Sequence, residues 1–410
     1  MTVTSERQTP DQDRVEPQEP PPVAESAPAG AVEPAPAPAP APAPALKIKK
    51  KAPLWAKLTT SLGVLLLLSS GGGLIGGRML ISRTTETIVV EDLTGEAQKT
   101  EEEGGGSTVE GPIDLLLMGV DARLRLSEDN LRADTIIVLH IPATHDRAYL
   151  ISIPRDTEVE VPEFAPSKYE GGTAKATEAF YWGAQNGAGW GGGAQLLAKT
   201  LKKSTGISFD GAAIINFGGF KKVIDQLDGV TMCVDQQVTS KHMVYVGGTA
   251  MFLADARKTG KATKPVVHKV GCREMEGWEA LDYARQRYGL KNGDYDRQRH
   301  QQQLIKAMAK KAASSDLLTN PLKISNLVKA GGESLVLDTG DIPITDFVLG
   351  LKGIAAGDMV LLRTNNGTFA GNDSGREMIT EESRAMFEAV KDDDLDQFVL
   401  DHPDVVANEK

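Results

Sequence analysis

The chain has 410 residues, a formal net charge of −11 and two cysteines. That length supplies a buried core for one large domain or two ordinary ones. The acidic balance excludes nucleic acid as the main partner, because neutralising a phosphate backbone takes a basic face; a phosphate-bearing ligand must therefore meet a local cluster of arginines.

Residues 1–53 are rich in Pro, Ala and Glu, with proline at every second position through Ala35 to Ala45. Such a run forbids helix and predicts a disordered, extended tail that serves as a spacer. Lys47-Ile48-Lys49-Lys50-Lys51 follows, then an uncharged stretch from Leu58 to Gly77. At about 1.5 Å per residue that stretch spans roughly 30 Å, the hydrocarbon thickness of a bilayer. A transmembrane anchor is expected over 54–80. The lysines outweigh Arg78 and Arg83 and place the N-terminus in the cytoplasm, with the rest of the chain extracytoplasmic. A cleaved signal peptide is the rival reading, but the preceding tail is too long and no clear small-x-small site follows. An exterior location makes a disulfide the expected state of Cys233 and Cys272.

Residues 81–112 form an acidic, glycine-containing connector in which Ile88-Val89-Val90 adds a short strand. From Ile113 the pattern changes. Ile113 to Val120, Asp134 to Ile141 and Ala148 to Ile153 are apolar runs of strand length, covered on both faces. Gly192 to Ser204 and Phe217 to Leu227 have the three-to-four residue spacing of amphipathic helices. Further signals at Met359 to Leu362 and Glu381 to Val390 close the same domain. The expected fold is α/β, a three-layer α-β-α sandwich with a mixed central sheet over 113–400, with 401–410 as a frayed tail.

Three clusters carry chemistry. Asp121 and Arg123 follow the first strand, and Asp134 opens the next. Two carboxylates flanking a short crossover suit Mg²⁺, which takes few protein oxygens and shares phosphate oxygens; strand-end aspartates that merely cap turns are the plainer alternative. In Ser152-Ile153-Pro154-Arg155-Asp156-Thr157, proline stops the strand and projects Arg155 from a rigid edge. A guanidinium there matches phosphate oxygens bidentately, unless it is spent on a surface pair with Asp156.

The third cluster runs from Tyr283-Ala284-Arg285-Gln286-Arg287 to Asp294-Tyr295-Asp296-Arg297-Gln298-Arg299-His300-Gln301. If extended, Arg285 and Arg287 share a face. Asp294, Arg297 and Gln301 share one face of a helix, which continues through Leu304 and Met308 into the core. Arginines converging on a helix start repel one another without an anion between them, so a pyrophosphate is the expected occupant. A solvated, salt-bridged helix is the alternative. His140 reads as a core histidine, and His300 is expected on the exposed side of its helix.

Together, DLLLMGVDAR, RADTIIVLHI, LISIPRDTEVEVP, STGISFDGAAIINFGGFKKVIDQLDGV and GWEALDYARQRYGLKNGDYDRQRHQQQLIKAM resemble the LytR-CpsA-Psr family of bacterial cell-wall assembly. They run in family order over roughly residues 113 to 313, and the cysteine pair is similar to the actinobacterial branch. The resemblance implies a Mg²⁺-dependent (or Mn²⁺-dependent) phosphotransferase that moves a glycan phosphate from a polyprenyl-pyrophosphate carrier onto peptidoglycan. It implies Asp121 and Asp134 as metal ligands, and Arg123, Arg155, Arg285, Arg287 and Arg297 as pyrophosphate contacts. Gln301 and Asp294 fall on neighbouring or head-group positions. Lys175-Ala176-Thr177-Glu178-Ala179 departs from the family's Lys-Ile-Asn-Ala-Ala, and many relatives have Arg where His300 stands; both departures concern the acceptor side. A polyprenyl-pyrophosphate hydrolase and a non-catalytic lipid-binding envelope regulator are the rival functions. The polymer, whether teichoic acid, arabinogalactan or capsule, is open.

Overall fold

The apolar runs after Gly111 become the centre of the molecule. The computed structural model describes residues 89–100, 103, 111–120, 131–314, 321–340 and 358–407, all within the compact unit Gly63–Lys410. The expected tail over 1–53 and anchor over 54–80 lie outside them. Among the described residues no helix is long and apolar enough to cross a membrane.

In chain order the first strands are β1 (Val89–Val90), β2 (Ile113–Val120), β3 (Ala133–Ile141), β4 (Arg147–Ser152), β5 (Glu158–Val161) and β6 (Gly172–Lys175). Helices α1 (Ala176–Gly183) and α2 (Gly189–Thr205) follow, then β7 (Gly211–Asn216) and α3 (Phe217–Gln226). Next come β8 (Val230–Val234), β9 (Val238–Val246), β10 (Thr249–Phe252), α4 (Leu253–Thr259), β11 (Thr263–His268) and β12 (Gly271–Met275). The chain continues through α5 (Gly277–Ala284), α6 (Asp294–Ser314), α7 (Pro321–Gly331), β13 (Leu335–Asp338), β14 (Asp358–Arg363), α8 (Glu381–Lys391) and α9 (Leu395–Asp401).

The main sheet is seven-stranded, in the order β1-β13-β7-β2-β3-β4-β14. β2 pairs in parallel with β7, and β4 with β14, while β3 runs antiparallel to both β2 and β4. The carboxyl ends of β2, β4, β7 and β14 therefore emerge along one edge, and the amino end of β3 joins them. In open α/β sheets such an edge is where ligands bind.

Side-chain alternation explains the packing. On β2 and β3, Leu116, Met118, Val120, Ile136 and Val138 enter one core, which includes Phe180 of α1, Leu197 and Leu201 of α2 and Phe387 of α8. Their alternates, Leu115, Ile137, Leu139 and Ile141, enter a second core, against which Ile305 of α6 packs. Because both faces are covered, the strands read as continuous apolar runs. Each fully buried Leu or Ile contributes about 1.5–3 kcal/mol. The result is a mixed α/β fold built on a mixed central sheet.

The short strand expected in the 81–112 connector forms as β1, which pairs with β13, and Leu93 and Ala97 after it are fully buried. One expectation is corrected. The 401–410 tail does not fray through its described part, because Val405 and Ala407 are buried and the Ala407 amide donates to the Leu361 carbonyl at 2.8 Å. Apolar burial outweighs the acidic flanks there.

A third core holds Ile224, Val230, Met232, Met275, Tyr283 and Leu304, and Met308 packs against it. It includes the β8–β12 ladder, where Cys233 and Cys272 lie directly opposite each other and form a disulfide. β9, β10 and β11 form a separate three-stranded antiparallel sheet.

Candidate active site

Pro154 follows β4 by two residues and turns the chain, and Arg155 leaves this turn toward the amino end of β3. Its guanidinium pairs with the Asp134 carboxylate, while Asp156 stands farther off, at 3.7 Å from Nε. Asp156 instead takes the Lys175 ammonium at 2.8 Å. The Arg155–Asp156 pair expected as the plainer alternative is thus present at 3.7 Å, alongside the closer pairing of Arg155 with Asp134.

α6 brings the second arginine. Asp294 occupies its first turn, and Arg297 reaches back to the Asp294 carboxylate at 3.0 Å and to the Asp134 carbonyl at 2.9 Å. Asp134 is therefore the shared centre of Arg155 and Arg297. Arg297 is only 6% exposed. Burial, reinforced by the Arg155 and Arg287 guanidiniums, pushes its pKa below the ordinary value despite Asp294 and Asp134. Arg155 goes the other way: burial opposes its charge, but Asp134, Asp294 and Asp156 outweigh it and raise its pKa. Both guanidiniums stay charged, as arginine does in proteins. Yet the Nε of Arg155 and the Nε of Arg297 are buried without a hydrogen-bond partner. Guanidiniums that share one carboxylate residue in this way suit a multiply charged oxygen ligand.

Arg287 lies within electrostatic reach of Arg297 and Asp156. Arg285 ends α5 with its guanidinium over the Phe217 ring, 4.1 Å from the centroid. The pair does not sit on an extended segment; Arg285 continues a helix and Arg287 follows in a loop, because Gln286 is fully buried and tied to Asp282 and Ser240. Gln301, one turn beyond Arg297, is also buried. Asp121 and Arg123 lie outside the described residues.

Of the expected metal ligands, only Asp134 can be examined. Among the described residues no group of three His, Cys, Asp or Glu side chains converges as a metal site. Asp134 alone suits only a cation that fills its shell with water and phosphate oxygens, as Mg²⁺ does.

His300 corrects the sequence expectation. It is fully buried, with Nε2 at 2.8 Å from the Tyr283 hydroxyl and 3.0 Å from Asp235. Burial holds its pKa down despite Asp235, so the ring is neutral. Asp235 is also bound by Arg299 at 2.5 Å. Asp235, Arg299, Ser152 and Tyr295 line a polar cavity of about 370 Å³ beside the first turn of α6.

Two residues were not legible as site neighbours. Glu377 accepts the hydroxyl of Tyr295 on α6, while its carbonyl accepts the Glu158 amide at 2.7 Å. It thereby ties the strand after Arg155 to the helix of Arg297. Burial, with Asp294 and Asp156 nearby, raises its pKa. Asn365 joins the same hydroxyl at 3.0 Å. Neither residue lies near Tyr295 in sequence, and no motif marks them.

The sequence profile of the LytR_cpsA_psr family matches residues 79–388. The chain is 29% identical over 280 residues to a cell wall biosynthesis protein, LcpA, of Corynebacterium glutamicum, covering 62% of this chain and 50% of that protein. It is 30% identical over 238 residues to the probable cell wall biosynthesis protein LcpB of the same organism, covering 55% and 48%. It thus spans about half the length of these curated relatives. The crystal structure of protein gbs0355 from Streptococcus agalactiae has the same fold, with a TM-score of 0.53, 21% identity, and coverage of 70% of this chain and 88% of that one.

Proposed function

The chain belongs to the LytR_cpsA_psr family, and from that premise we propose that it is a membrane-anchored, extracytoplasmic phosphotransferase of cell-wall assembly. Its donor is a glycan carried on polyprenyl pyrophosphate, and its acceptor is a hydroxyl of peptidoglycan. The observation that supports this reading is the convergence of the Arg155 and Arg297 guanidiniums on Asp134, the first on its carboxylate and the second on its carbonyl.

In the reaction, the acceptor hydroxyl oxygen attacks the phosphorus attached to the glycan, and its proton ends on the departing phosphate. The bond from that phosphorus to the bridging oxygen breaks, polyprenyl phosphate leaves, and a phosphodiester joins glycan to wall. Arg155 and Arg297, with Arg287, Arg285 and Arg123, hold the two phosphates and oppose the charge that builds on the leaving group. Asp134 and Asp294 hold the guanidiniums in place before substrate arrives, so little reorganisation is left for the reaction itself. Mg²⁺, when bound to Asp121 and Asp134, supplies further neutralisation of the phosphate oxygens. The exterior location agrees with the disulfide, which persists in oxidising compartments.

The test is cleavage of a polyprenyl-pyrophosphate-linked glycan by the full chain in the presence of Mg²⁺ and peptidoglycan. Arg155→Ala and Arg297→Ala should each lower kcat by about 10²–10³, the cost of removing one oxyanion donor, and chelation should stop turnover. Tight donor binding with no bond cleavage, in the wild-type chain with acceptor present, would overturn the reading.

A further inference from the structure

The segment from Val238 to Val270 carries six Lys or Arg residues against one Asp, in a chain whose formal charge is −11. It is the lobe built from β9, β10, α4 and β11. All six cations, Lys241, Arg257, Lys258, Lys261, Lys264 and Lys269, are exposed. Lys258 shares the segment's single acid, Asp255, at 2.6 Å. Two large apolar side chains are exposed among them, Phe252 at 51% and Val270 at 64%. On β9, Tyr245 packs edge-on against Trp278 of α5, with centroids 6.2 Å apart. A lobe that exposes six cations together with Phe252 and Val270 suits a surface that is anionic outside and hydrocarbon beneath. A soluble anionic polymer offers the charge and nothing for Phe252 or Val270.

The lobe is also fixed to the arginine cluster. Ser240 of β9 donates to Asp282 at 2.9 Å, and His268 of β11 meets the other oxygen of the same buried carboxylate at 2.8 Å. Gln286 donates to Asp282 at 3.0 Å and accepts the Lys241 amide at 3.0 Å. Gln286 stands between Arg285 and Arg287. Whatever holds the lobe therefore also fixes the loop that carries those two arginines.

We propose that the β9–β11 lobe docks on an anionic phospholipid surface. On the transferase reading, on which this consequence rests, docking sets the arginine loop at head-group depth, where the pyrophosphate of a lipid-linked donor lies.

The test is backbone hydrogen exchange of the full chain mixed with vesicles of phosphatidylcholine, alone or with phosphatidylglycerol, with no donor present. Because exchange is read residue by residue, binding through any other segment is separated from docking of the lobe. Amides from Val246 to Lys264 should slow on the anionic vesicles only, and salt of about 0.5 M should reverse the effect. In a Lys258→Gln, Lys261→Gln, Lys264→Gln variant, the lipid concentration for half-protection should rise by about two orders of magnitude, at roughly a factor of five per lost charge. Arg155→Ala should dock like the wild-type chain, so loss of turnover and loss of docking are read separately. Equal exchange on both vesicle types would overturn the proposal. So would protection by soluble poly(glycerol phosphate) with none by vesicles, which would assign the lobe to a wall polymer.

Discussion

At the scale of single residues, His300 shows how a buried polar network sets a pH limit. Its Nδ1 has no hydrogen-bond partner, so a proton placed there would be an unpaired donor in the core. The folded state depresses its pKa, while the unfolded chain takes up a proton near the ordinary value of about 6.5. Below that pH the unfolded state binds more protons, so stability falls as pH drops, by up to about 1.4 kcal/mol per unit for one site. Thermal midpoints measured from neutral to mildly acidic pH should decline less steeply in His300→Gln than in the wild-type chain. Glu377 makes a different prediction. Glu377→Ala leaves the half-buried Tyr295 hydroxyl without its carboxylate acceptor and should cost about 1 kcal/mol in a denaturant melt. Glu377→Gln retains an acceptor oxygen and should cost less; equal losses in both would mean that the hydrogen bond contributes nothing.

Among elements, the contact between α1 and α2 is a close backbone approach on one face of the sheet. A Cβ at Gly183 would lie 2.3 Å from the Gly192 carbonyl oxygen, and one at Gly193 would lie 2.8 Å from the Phe180 ring. Glycine is required there for close approach of two backbones. Gly183→Ala should lower stability by about 1–3 kcal/mol through overpacking, as a shift in denaturant midpoint at constant m-value. This contact was hidden in the sequence, which shows only a glycine-rich helix start. The strands at 113–120, 133–141 and 147–152 were legible, because burial on both faces leaves an unbroken apolar run. So were Arg155 and Arg297, since proline and a helix start fix where each side chain emerges. The helical setting of Arg285 was not, because the helix ends at Arg285 and so short a span shows no period to separate helix from strand. His300 escaped for a related reason: α6 packs on two cores, and a helix covered on two sides has little exposed face to read.

For the whole molecule, the disulfide and the last strand matter most. Cys233 and Cys272 are 39 residues apart, and the chain-entropy account gives their closure about 4 kcal/mol. Cys233→Ser with Cys272→Ser should therefore melt well below the wild-type chain, and reductant should reproduce the effect. β14 raises a different matter. Thr364, just past its end, donates to the Ser152 carbonyl 212 residues away, and Glu377 lies beyond it still. The candidate edge is thus closed by a segment that follows β4 at long range in the sequence, and pairings this distant are slow to form. A nascent chain halted before Asp358 lacks the strand beside β4 and the brace between Arg155 and α6, so it holds most of the arginines without the frame that aligns them. The alignment of Arg155 with Arg297 is therefore completed only when β14 has paired with β4.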